Sequence, residues 1–201
     1  MKPLLLLTVG AVLLASCSAA NSGGERPPLE SGIEVRFPAA PTGAYLSLLT
    51  EGGESVYQVP VEAGKTSVSV DGTKWTAQSA NAQPLPNFLP SGAGPAGVSA
   101  DGIKANFLHW VMWQDKNSNG QRDEGETLDL MTHDRVVYVS QDAEMRFSTP
   151  DTVQVWKFTQ GWSRAEHYVY LPKGSSTYQR SLTSSGLQRY ELHVPTPVTS
   201  Q

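Results

Sequence analysis

The chain of 201 residues has one cysteine, Cys17, so no disulfide can form within it. Fifteen Lys and Arg against nineteen Asp and Glu give −4, and the basic footprint of a nucleic-acid binder is missing. Charged residues are sparse altogether, 17% against about 25% in an average soluble protein. No apolar run approaches the roughly 20 residues of a membrane-spanning helix. No stretch of twelve residues carries a helical stripe. The four histidines, His109, His133, His167 and His193, lie far apart along the chain. No zinc pair at local spacing exists, and they read as surface or satisfied core residues. A G-x-S-x-G elbow is absent, and Gly64-Lys65-Thr66 fails as a phosphate loop because Val59 stands where its first glycine is needed. With no legible catalytic constellation the chain reads as a non-enzyme. A hydrolase built from carboxylates and histidines brought together by folding is the alternative to that reading.

What is present is aromatic and alternating. Five Trp, seven Tyr and five Phe argue against wholesale disorder, because such a chain can bury surface. Ile33, Val35 and Phe37 alternate with polar residues, as do Tyr57, Val59 and Val61, then Val68 and Val70, and finally Tyr190, Leu192 and Val194. A period of two puts one face in and one out. Further β-rich runs are 44–49, 136–139, 145–147, 153–158 and 168–171, with turn signals between them such as Gly52-Gly53, Asp71-Gly72, Gly161 and Lys173-Gly174. Many short strands with regular punctuation predict an all-β domain. The expected form is an antiparallel β-sandwich of Ig-like or transthyretin-like type, with a β-barrel as the alternative.

At the N-terminus, Met1-Lys2 is a short positive segment and Leu4–Leu14 (LLLLTVGAVLL) an apolar core of signal-peptide length. The lone cysteine follows in Leu14-Ala15-Ser16-Cys17. This run resembles the lipobox of bacterial lipoproteins. The resemblance implies cleavage between Ser16 and Cys17, a diacylglycerol on the thiol, and membrane attachment through acyl chains of palmitate type. Several such chains at about 0.8 kcal/mol per buried methylene hold a protein on a bilayer far better than one does. The implied address is exported and lipid-anchored, to the cell membrane or, because Ser18 is no retention signal of aspartate type, to an outer membrane. Loss of 1–16 removes Lys2 and leaves a net charge of −5.

Residues 17–31 read as a lipidated flexible tether. Ser18–Pro28 (SAANSGGERPP) has a root-mean-square reach of roughly 17–20 Å, enough to lift a domain clear of lipid headgroups. The sandwich is expected over 32–195, with 196–201 as a frayed tail. Residues 80–98 (ANAQPLPNFLPSGAGPAGV) break the rhythm and read as a long Pro/Gly-rich excursion. That excursion leaves open a division into two β units, although about 45 residues without disulfides make a poor independent domain.

One segment carries metal chemistry. Counting from Asp115 as position 1, side-chain oxygens fall on Asp115, Asn117, Asn119, Asp123 and Glu126, at positions 1, 3, 5, 9 and 12. Gly120 occupies position 6, and Gln121 at 7 can offer its carbonyl. Odd positions of a tightly wound loop point inward, the glycine permits the turn, and a glutamate closes the shell. The set suits Ca²⁺, which takes six to eight oxygens. The segment resembles the EF-hand loop and, more closely, the DxNxDG-type loops of extracellular β-sandwich adhesin modules, some of which end in Asp-x-Gly-Glu as Asp123–Glu126 does here. Arg122 departs from the apolar position 8 of an EF-hand, and the preceding run Phe107–Trp113 is strand-like. The resemblance therefore implies a strand–loop–strand structural calcium site. A solvated hairpin turn is the plainer alternative, since Asp, Asn and Gly are what such turns are made of.

Six aromatics, Trp110, Trp113, Trp156, Trp162, Tyr168 and Tyr170, suit either core packing or a sugar-stacking platform. Trp162, in the polar run Gln160–Ser163, is the candidate for an exposed binding residue. The functional expectation is a membrane-anchored, calcium-stabilised β-sandwich lipoprotein with a structural, adhesive or envelope-assembly role. It would contact the membrane through Cys17 and a glycan or envelope protein through its surface, with no nucleic-acid partner. A surface carbohydrate-binding module is the alternative.

Overall fold

A computed structural model describes residues 31–94, 96–150, 152–186 and 189–195. The leader, Cys17 and nearly all of the tether lie outside the described residues, as does the tail. The strands are β1 (Ser31–Arg36), β2 (Ala44–Thr50), β3 (Ser55–Val61), β4 (Ser67–Asp71), β5 (Gln83–Pro84), β6 (Gly97–Val98), β7 (Lys104–Gln114), β8 (Arg135–Val139), β9 (Ala143–Thr149), β10 (Thr152–Phe158), β11 (Gly161–Tyr170), β12 (Tyr178–Ser185) and β13 (Arg189–Glu191). Two 3₁₀ segments, Gly72–Asn81 and Leu85–Phe88, complete the secondary structure.

Strand β7 explains the architecture. Its apolar run is buried on both faces, so alternate residues serve two cores. Leu108, Trp110 and Met112 join Ile33, Val35, Val70, Leu46, Leu48 and Tyr190 in the first. Ala105 and Phe107 join Val137, Val139, Met145, Phe147, Trp156 and Phe158 in the second. Strand β8 repeats the device, with Val136 in the first core and Val137 and Val139 in the second. A small sheet in the order β13-β1-β4 covers the first core, and the large sheet runs β3-β2-β7-β8-β11-β12-β10-β9-β6. The two sheets are open, which answers the choice between sandwich and barrel in favour of the sandwich-like all-β form.

Three differences from the sequence reading have physical causes. The sheets are mixed, not purely antiparallel: β1 pairs with β13 and β10 with β12 in parallel, because long connections carry the chain over before it pairs again. Strand β12 has a polar sequence, YQRSLTSS, with only Leu182 buried, so no apolar alternation announced it. Residues 80–98 are not a bare loop. Leu85, fully buried, with Phe88, Leu89, Ala93, Ala96 and Val98 around it, packs on the second core as a lid. Of the run 168–171, Tyr168–Tyr170 form the exposed end of the longer strand β11 and Leu171 lies exposed beyond it, and Val194 is exposed where alternation put it inward.

Candidate functional site

The loop 115–126 leaves the end of β7 and returns antiparallel to it. Gln114 N–H donates to the Glu126 carbonyl at 2.9 Å, Leu128 N–H to the Met112 carbonyl at 2.9 Å, and Thr127 bridges Trp113. Within it each of the five oxygen-bearing side chains named from sequence is hydrogen-bonded. The Asp115 carboxylate accepts from Asn119 N–H (3.2 Å) and Gly120 N–H (2.9 Å). The Asn117 and Asn119 oxygens accept the N–H groups two residues on, at 3.0 and 2.7 Å. Both carboxamide nitrogens donate to Asp123 Oδ2 at 2.7 Å. Glu126, 4% exposed, ties the loop shut: one oxygen accepts from Lys116 N–H at 2.8 Å and the other from Asp123 N–H at 3.0 Å. Gly120 and Gly125 have φ of 71° and 78°, the left-handed region that glycine enters without steric cost.

Asn117, Asn119 and Asp123 are thus joined side chain to side chain, whereas the Asp115 and Glu126 carboxylates are held by backbone N–H groups of the loop. The two carboxamide nitrogens converge on Asp123 Oδ2. A cation beside Asp123 would meet these amide nitrogens, and turning either carboxamide to present oxygen there would give up the bond its oxygen accepts from the Asn119 or Gln121 N–H. Gln121 contributes its N–H to Asn119. Among the described residues no three His, Cys, Asp or Glu side chains gather into a group that could hold a metal ion, the Asp115, Asp123 and Glu126 carboxylates included.

The loop is also pinned from outside. Asp115 N–H donates to the Gly43 carbonyl at 2.9 Å, Gln58 Nε2 to the Gly120 carbonyl at 3.3 Å, and Arg122 Nη2 to the Gly53 carbonyl at 3.2 Å. Arg122, the departure from an EF-hand, therefore clamps the loop to the β2–β3 turn. Beneath it Trp113 stacks on Tyr45 with ring centroids 4.7 Å apart, and its indole N–H donates to Ser47 Oγ at 2.9 Å.

The aromatic platform is dispersed. Trp110, Trp113 and Trp156 are buried, whereas Tyr168 and Tyr170 are exposed on β11. Trp162 stands in β11, not in a turn. It is half-buried against the first core, 5.5 Å from the Tyr138 ring, because the connection from β10 spans only 159–160 and Trp162 already pairs with Tyr138 of β8.

Folding assembles what sequence spacing could not show. His133, just before β8, and His167, on β11, bring their rings to 5.0 Å between centroids, and His193, beyond β13, lies 6.5 Å from His133. Three of the four histidines meet at the seam between the two sheets. Asp134 braces them, accepting from Arg164 Nε at 2.9 Å and from His167 N–H at 3.1 Å, while Arg164 also reaches Glu166 at 2.8 Å. Burial holds His133 and His167 below the usual imidazole range, and their cationic neighbours act in the same direction. Only the contacts β8–β11 and Met131–His193 make this cluster; no local motif signals it.

Comparison with protein-family models, with curated proteins and with solved structures finds no match to this chain, so its chemistry is read from its own side chains.

Proposed function

We propose that this protein is an exported, lipid-anchored envelope protein whose β-sandwich carries a structural calcium ion in the loop 115–126, with a structural, adhesive or assembly role and no catalytic one. The observation that carries the reading is the spacing of Asp115, Asn117, Asn119, Asp123 and Glu126 along one loop that Glu126 ties shut, a spacing that suits Ca²⁺. The lipobox Leu14–Cys17 supports the anchor. The two features reinforce each other. Calcium outside cells reaches levels that fill a site of 10⁻⁴–10⁻³ M affinity, and a chain without disulfides gains from an ion that ties strand β7 to the β2–β3 turn.

In the filled loop Asp115, Asp123 and Glu126 would supply negative charge, Asn117 and Asn119 neutral oxygens and Gln121 its carbonyl. Occupancy at ten times the dissociation constant adds about 1.4 kcal/mol to folding stability. Thermal unfolding of the full-length chain in millimolar CaCl₂ and in chelator tests this. The midpoint is expected to rise by roughly 2–5 °C with calcium, and Asp115→Ala is expected to abolish the rise. An unchanged midpoint removes the ion from the reading. Metabolic labelling with palmitate, lost in Cys17→Ser, tests the anchor separately.

A further inference from the structure

One face of the large sheet ends in a pocket that the calcium reading does not use. Directly paired residues share a face of a sheet, and the register aligns Gln154 and Trp156 of β10 with Arg180 and Leu182 of β12. Leu182 in turn pairs with His167 of β11. Arg135 of β8 and Phe107 of β7 continue the same face. The 3₁₀ segment Leu85–Phe88 roofs it, with the Phe88 ring 4.7 Å from that of Phe107, which is itself 5.6 Å from Trp156. The cavity left at this open end of the second core measures about 290 Å³, room for one ring or a short branched chain.

Its two sides differ chemically. Phe88, Phe107, Trp156 and Leu182 form its apolar wall, and Arg135, Arg180, His133 and His167 a cationic or proton-bearing rim. Glu51 is the one carboxylate of the lining, and it is engaged: Arg135 Nε lies 3.3 Å from it and His109 Nδ1 4.0 Å. Among the described residues Arg180 has no carboxylate partner. A guanidinium fork beside an aromatic wall matches one planar anion attached to an apolar body. The same rim disfavours a metal cation, since the histidines face arginines from β8 and β12.

We propose that this pocket binds a small organic carboxylate with a single aromatic ring or short branched apolar body, its carboxylate on Arg180 and its body against Phe88, Phe107 and Trp156. Arg180 is exposed, so Arg180→Gln leaves both cores intact.

The test is ligand-observed NMR on the full-length chain with benzoate, its neutral analogue benzamide, 4-methylpentanoate and inorganic sulfate. Benzoate or 4-methylpentanoate is expected to bind saturably, with benzamide at least about tenfold weaker, the loss of one charge-assisted contact. Arg180→Gln is expected to weaken the carboxylates by a similar factor, and Phe88→Ala to weaken them without changing the preference for the anion. The proposal is overturned if neither carboxylate binds below about 20 mM, if benzamide binds as well as benzoate, if Arg180→Gln has no effect, or if sulfate displaces benzoate at equal concentration. An unchanged circular dichroism melt of Arg180→Gln keeps a binding loss distinct from unfolding. Repeating the titration in chelator separates this pocket from the calcium loop.

Discussion

The backbone N–H of Asp115 donates to the carbonyl of Gly43 at 2.9 Å, and a Cβ added to Gly43 would stand 3.1 Å from the Asp115 carbonyl oxygen. Seventy-two residues apart in sequence, the two backbones meet where the oxygen-rich loop departs from β7. Gly43 holds a φ of 74°, in the region side chains avoid. Gly43→Ala therefore combines backbone strain with a tight contact and is expected to cost about 1–2 kcal/mol. Urea denaturation of the full-length chain measures it, and a midpoint equal to the parent's would show that the turn yields freely.

Beside this contact, the buried indole of Trp113 depends on a single hydroxyl, Ser47 Oγ. Ser47→Ala orphans an N–H at a site that is 0–1% exposed, and the expected loss is about 1–3 kcal/mol. Adding Trp113→Phe to Ser47→Ala removes the orphaned donor, so the double variant should fall short of the sum of the singles. Strict additivity in that cycle would mean that the hydrogen bond contributes nothing.

Because β7 feeds both cores, they are expected to unfold together. Trp110→Ala in the first core and Phe107→Ala in the second each remove a large buried ring and should cost about 3–5 kcal/mol. Both should move one calorimetric transition. Two separable transitions, each sensitive to only one variant, would instead divide the chain into two units.

The histidine cluster makes stability depend on pH. Burial lowers His133 below its ordinary value near 6.5, and His193, Arg135 and Arg180 add to the lowering while Asp134 opposes it. His167 is lowered by burial, His133, Arg180 and Arg135, again against Asp134. With a depressed folded-state pKa, an imidazole binds fewer protons in the fold than in the unfolded chain. Its neutral form is accommodated at pH 7, and stability falls as pH drops through about 6.5 toward the lower folded value. The urea midpoint is expected to decline from pH 7 to pH 5, and His133→Gln to flatten that decline. A slope over this interval unaffected by His133→Gln and by His167→Gln would place the titration elsewhere.

Much of the fold was legible because half-buried strands alternate. Ile33-Val35, Val68-Val70 and Val153–Phe158 lie in strands β1, β4 and β10, and the bulky run before the loop lies in β7. Strand β12 was not legible, since its partners on both sides supply the apolar surface and it needs only Leu182 of its own. Trp162 was misplaced for a related reason. A glycine at a strand's first residue has the same local signature as one in a turn, and only pairing with β8 distinguishes them.

The oxygen-bearing loop is largely a property of the sequence: twelve consecutive residues carry their own spacing, turn glycines and closing glutamate, and the hydrogen bonds inside it join near neighbours, while Gly43, Gly53 and Gln58 hold it from outside. The alternation that makes the chain all-β is local in the same sense. The tertiary structure alone decided that β7 and β8 serve two cores, that Leu85, Phe88 and Leu89 cover the second of them, and that His133, His167 and His193 meet. These depend on pairings between segments tens of residues apart, and such pairings are selected by the burial of whole faces, which no window of sequence contains.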